Sequence, residues 1–70
     1  MALFLKTVTG AAINSAYVLR IYPRHNSRGD TWEVEAKMVN GEDYTLYKDI
    51  PEQEARDVVS ALVDGMMDGG

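Results

Sequence analysis

His25 is the only histidine in the chain, and it is the first residue that could do chemistry. A general base needs an orienting group and a nucleophile within hydrogen-bond reach. Arg24 and Asn26 flank it and supply neither role, so a solvated loop histidine is expected. Glu33 and Glu35 stand two apart, which on a strand puts both carboxylates on one face. That spacing could serve acid–base work or hold a hard cation. Lys37 continues the same face, so a solvated charged stripe is the simpler expectation. Cysteine is absent, which excludes disulfides, thiolate metal sites and thiol catalysis. The six glycines are scattered or terminal, and none forms a phosphate-cradling loop. No catalytic residue, metal ligand or cofactor is expected, and the chain is not read as an enzyme.

One basic and aromatic cluster remains. Arg20, Tyr22 and Arg24 alternate, and His25 and Arg28 follow. On a strand and its loop they could hold phosphate and stack a base, which makes nucleic-acid binding the alternative function. The pI near 4.7 argues against it, because nucleic-acid domains are usually basic. Arg28-Gly29-Asp30 spells the cell-adhesion tripeptide, but Gly and Asp belong in a turn for conformational reasons alone.

The elements that must position these residues read as strands followed by one helix. Residues 3–9 are β-prone, Gly10-Ala11 turns the chain, and Ala12-Ile13-Asn14 returns. Residues 17–22 form the next strand. Pro23 cannot donate to a ladder, so the strand ends there or lies at an edge. Residues 24–30 are a polar loop. Trp32, Val34, Ala36 and Met38 then share one face of the clearest strand. Asn40-Gly41 turns it into Tyr44–Tyr47. A two-residue loop would mismatch the apolar sets. A three-residue loop, Val39-Asn40-Gly41, pairs Met38 with Glu42, Ala36 with Tyr44 and Val34 with Leu46, with Gly41 left-handed in a G1 bulge. From Pro51 the period becomes helical: Ala55, Val58, Val59, Leu62, Val63 and Met66 share a face. Asp49 and Glu52 have capping-box spacing, and Gly65 is the expected stop.

The expected fold is α+β: a four- or five-stranded antiparallel meander sheet with one C-terminal amphipathic helix packed on one face. Residues 1–66 make a single domain and 67–70 a flexible tail. Phe4 or Leu5, Val18, Tyr22, Thr45 and Tyr47 fall on the sheet face away from the helix. That face reads as too apolar for plain solvation, so Phe4, Val18, Tyr22 and Tyr47 are the interface candidates.

Charge and size point the same way. Residues 1–29 carry Lys6, Arg20, Arg24 and Arg28 and no acid, whereas residues 30–70 carry all 11 acids against Lys37, Lys48 and Arg56. Cross-strand pairing of the arginine strand with Glu33 and Glu35 would account for that split. A 70-residue chain buries only about 60% of its unfolded surface, which makes a homodimer the expected source of further stability. No stretch is long and apolar enough to cross a membrane, and no cationic leader precedes the opening apolar run, so a cytoplasmic location is expected.

Two stretches resemble known families. Phe4, Lys6, Thr7, Thr9, Gly10 and Ile13 match the first hairpin of ubiquitin-like proteins, and the chain ends in Gly69-Gly70. The resemblance covers the first 13 residues and the tail, and implies a modifier or sulfur carrier whose terminal carboxylate is adenylated. Such a β-grasp fold requires a helix straight after the second strand, and residues 17–30 contain no amphipathic pattern. Gly10-x-x-Ile13-Asn14, Val18-x-x-Ile21, Trp32-x-Val34, Asn40-Gly41-x-x-Tyr44-x-Leu46 and the Pro51–Ala55 helix start resemble a group of small bacterial proteins of uncharacterised function. These motifs are structural and imply the meander-plus-helix fold with no catalytic residue. The expectation is a small non-enzymatic interaction or oligomerisation module, with no membrane partner and with nucleic-acid binding as the alternative.

Overall fold

The computed structural model describes residues 4–68, and the side chains of residues 66–68 are outside that description. The fold is α+β. Five strands run in order, β1 (Phe4–Lys6), β2 (Ala12–Asn14), β3 (Val18–His25), β4 (Trp32–Met38) and β5 (Asp43–Ile50), followed by helix α1 (Glu52–Asp68). A 3-10 turn, Ser15–Tyr17, joins β2 to β3, and the Asn14 side chain caps it by accepting from the Ala16 N–H at 2.9 Å. All pairings are antiparallel, but the strands form two sheets rather than one: β1-β2, and β3-β4-β5 with β4 central. The helix comes last and a short 3-10 turn follows β2, so the ubiquitin-like resemblance stops at the first hairpin. Leu3 of the expected first strand lies outside the described residues.

Two hairpins turn by the same device. The Met38 N–H donates to Glu42 O at 2.8 Å and the Gly41 N–H to Met38 O at 3.0 Å. Thr7 and Gly10 repeat it: the Thr7 N–H donates to Ala11 O at 2.8 Å and the Gly10 N–H to Thr7 O at 3.0 Å. Gly10 and Gly41 both sit at φ 92°, where an L side chain is strained. The first turn is therefore the three-residue loop Val8-Thr9-Gly10, one residue earlier than Gly10-Ala11.

Bulges decide which way side chains face. Ala36 pairs with Tyr44 as expected, but Val34 faces Tyr47 instead of Leu46, because the register shifts between Val34 and Glu35. A second shift lies between Trp32 and Val34, near Asp49, which holds a left-handed φ of 57°. A third shift separates Val18 from Arg20 in β3. Each bulge adds twist to its strand. Among the described residues one backbone bond, Val8 N–H to Thr45 O at 2.9 Å, ties the first hairpin to β5. The sheet divides at this seam.

The core is thin. Leu5, Ile13, Val34, Ala36, Met38, Leu46 and Ala55 are buried, and Val18, Ile21, Trp32, Val58 and Leu62 pack partly buried against them. Helix α1 supplies Ala55, Val58, Val59 and Leu62 at the spacing its sequence shows. Val63 is exposed instead of joining the core face, and the Met66 side chain lies outside the described residues. Asp49 does not cap the helix: it sits in the β5 bulge, and the Ala55 N–H bonds the Pro51 carbonyl at 3.0 Å to open the first turn. Gly65 does not stop the helix, which continues through Met67 and Asp68. The expected 67–70 tail is thus helical at its start, and Gly69 and Gly70 lie outside the described residues.

Candidate functional site

The sheet face away from α1 is polar. It carries Arg20, Tyr22 and Arg24 from β3, Glu33, Glu35 and Lys37 from β4, and Asp43 and Thr45 from β5. Its centre is Glu35, with only 7% of its side chain exposed. Neighbouring strands flank it on both sides, Tyr22 on one and Thr45 on the other. The expected solvated stripe is wrong at this position, because the middle of a central strand is covered by its long neighbours. One Glu35 oxygen accepts from Arg24 Nη1 at 3.1 Å, and the other accepts from Thr45 Oγ1 at 3.3 Å. Arg24 also lies directly across from Glu33. Arg20 places its guanidinium 4.8 Å from the centre of the Tyr22 ring. Cross-strand charge pairing thus engages Arg24, whereas Arg20 stands across from Lys37 and rests on a ring of its own strand. Arg28 is exposed on the 26–31 loop, whose Asn26 side chain accepts from its N–H at 3.0 Å.

His25 closes one end of the sheet. Its ring lies 5.2 Å from that of Trp32, and Arg56 of α1 stands 5.5 Å over Trp32 while bonding Glu52 at 2.8 Å. His25, Asp30, Trp32 and Glu52 line an open cleft of about 500 Å³. Among the described residues no hydroxyl nucleophile lines it, and no group of three or more His, Cys, Asp or Glu is placed to hold a metal. Among the same residues no helix is long and apolar enough to cross a membrane.

The interface candidates separate. Val18 pairs with Met38 and packs on the core, so it does not lie on the uncovered face with Tyr22. The β3 bulge is the reason: the extra residue, Leu19, reverses the alternation between Val18 and Arg20. Tyr47 leaves the face of Thr45 for the same kind of reason, the shift at Val34/Glu35. It meets Phe4 instead. Phe4, Leu5, Lys6, Leu46, Tyr47 and Leu62 line a shallow depression of about 210 Å³ along the seam. Phe4 is 60% exposed there and Tyr47 44%. The structure thus unites Phe4 with Tyr47, leaves Tyr22 beneath Arg20, and moves Val18 to the core.

The structure also exposes residues that sequence reasoning passed over. Tyr17, Leu19 and Val39 are all more than half exposed. Their signal was faint: a strand start, a bulge that alternation cannot reveal, and a loop residue.

One titratable group is clearly displaced. The Tyr44 hydroxyl donates to Glu42 Oε2 at 2.6 Å. That hydrogen bond, then the charge of the Glu42 carboxylate, then slight burial raise the phenol above its ordinary value.

Comparison with known proteins returns no matching family, no matching characterised protein and no matching solved structure.

Proposed function

We propose that this chain is a non-enzymatic, self-associating interaction module that docks a second copy through the Phe4–Tyr47–Leu62 seam. The observation that carries this reading is the exposure of Phe4 beside Tyr47 over one apolar depression. Phe4, at 60% exposure, forgoes about 1–2 kcal/mol of burial. Size favours a copy of the same chain as the occupant. Besides Phe4 and Tyr47, the described residues leave the large apolar side chains of Val8 and Val63 exposed. A stable dimer needs roughly 600 Å² or more from each copy. The monomer surface of 4799 Å² supplies that with about an eighth of its area.

The nucleic-acid alternative through Arg20, Arg24, His25 and Arg28 has weaker support, since Glu35 holds Arg24 and the His25 ring lies tilted against that of Trp32. Sedimentation from micromolar to millimolar protein tests the main reading. A dimer that dissociates on dilution, and is abolished by Phe4→Glu without change in circular dichroism, is expected. A monomer at every concentration would overturn it.

A further inference from the structure

The corner where β3 begins and β4 ends pairs an apolar surface with two like charges that are only partly compensated. The Val39 N–H donates to Tyr17 O at 2.9 Å, which sets these two residues side by side. Leu19, the extra residue of the β3 bulge, lies two residues after Tyr17. Tyr17 is 58% exposed, Leu19 64% and Val39 61%. Next along the ladder, Arg20 stands directly across from Lys37. Like charges placed opposite each other on neighbouring strands are unfavourable. Their relief is partial. Asp43 reaches Lys37 at 3.9 Å, the outer limit of an ion pair, and Arg20 rests on the Tyr22 ring. Among the described residues no carboxylate lies within ion-pair distance of Arg20.

We infer that this corner docks an acidic, apolar peptide segment of another protein, its carboxylates on Arg20 and Lys37 and an aliphatic or aromatic side chain against Tyr17, Leu19 and Val39. Charge selects this occupant. Two copies meeting here around a twofold axis would set the same cations against each other, so the corner is unsuited to self-association. The phosphates of a nucleic acid would satisfy the cations and a base could stack on Tyr17, but the aliphatic Leu19 and Val39 would stay in water. Strand addition is not the mode, because Leu19 bulges the β3 edge and Pro23 removes a donor from it. Recognition is therefore by side chains.

The test is an NMR titration of the isotope-labelled full chain with a capped hexapeptide alternating glutamate with leucine and phenylalanine. The same peptide with lysine for glutamate, and a short thymidine oligonucleotide, serve as comparison probes. Saturable shifts at Tyr17, Leu19, Arg20, Lys37 and Val39 with the glutamate peptide alone are expected. Leu19→Ser and Arg20→Glu should each weaken that binding about tenfold, and added salt should weaken it further. Equal shifts with the lysine peptide, tighter binding of the oligonucleotide, or no saturation would overturn the inference. So would concentration-dependent shifts at these residues without peptide, which would mean that a second copy occupies the corner. Sedimentation of Phe4→Glu reports on the seam alone, so the two readings can fail separately.

Discussion

Glu35 shows how one residue can be ordinary in sequence and costly in place. Its carboxylate is buried at the centre of the sheet while its partner Arg24 keeps 64% of its side chain exposed. Water screens the arginine end, so the pair itself is worth about 1 kcal/mol or less. Removing Arg24 still leaves a buried carboxylate with only the Thr45 hydroxyl. Arg24→Ala is therefore expected to cost about 1–2 kcal/mol in urea unfolding, with Arg24→Lys recovering part of it. An unchanged midpoint would mean that water, not Arg24, solvates Glu35. Tyr44 offers a second residue-scale test. Its phenol is raised above the ordinary value by Glu42, so its folded value exceeds its unfolded one. The protonated phenol's contribution is then fully present below the ordinary tyrosine value, about 10, and is lost as pH rises through the folded value. Alkaline absorbance titration should show Tyr44 ionising above the ordinary tyrosine value, and Glu42→Gln should lower it toward that value.

At the scale of elements, glycine and bulges determine what was legible in sequence. The Val39-Asn40-Gly41 loop could be deduced because the flanking strands carry matched apolar sets, and only one loop length aligns them. The first hairpin uses the same loop, but its strands are three residues long and offer too little pattern to fix a register. The bulges were hidden for a different reason. Strict alternation places Val18 with Tyr22, and Thr45 with Tyr47, and a single inserted residue undoes each assignment without any compositional mark. Two of the four interface candidates moved on that account, while the core face of β4 stood and that of α1 stood for Ala55, Val58, Val59 and Leu62. The helix stop was misjudged at Gly65, a residue whose cost of about 1 kcal/mol in a helix interior is tolerable within a 17-residue element. The matched turns make a direct prediction. An added Cβ at Gly41 would meet nothing within 4 Å, so only backbone strain at φ 92° opposes it. Gly41→Ala should cost about 1–2 kcal/mol and Gly41→Asn clearly less, measured by urea unfolding. Equal losses for both would show that something other than the left-handed backbone is at stake.

The whole molecule joins charge, core and seam into one balance. The basic first half forms the outer strand β3 and its loop, the acidic second half supplies the central strand and the helix, and Arg24–Glu35 is where they meet. Burial is less complete than size alone dictates: 4799 Å² of surface remains, against about 4,400 Å² expected for a compact chain of this mass. With seven buried apolar side chains among the described residues, two of them alanines, the monomer has little stability in reserve. A second copy over the Phe4–Tyr47 seam would add burial where the two sheets fail to join. Folding and association are then linked, and stability must depend on protein concentration. The expected rise is about 3–6 °C in Tm for each tenfold increase, since that change adds about 0.7 kcal/mol per protomer of a domain this small. Phe4→Glu should flatten the dependence at the lower Tm, because the substituted side chain is exposed in the monomer and disturbs only the seam. A wild-type Tm independent of concentration would instead mean that the thin core suffices by itself, leaving Phe4 and Tyr47 with no part in stability.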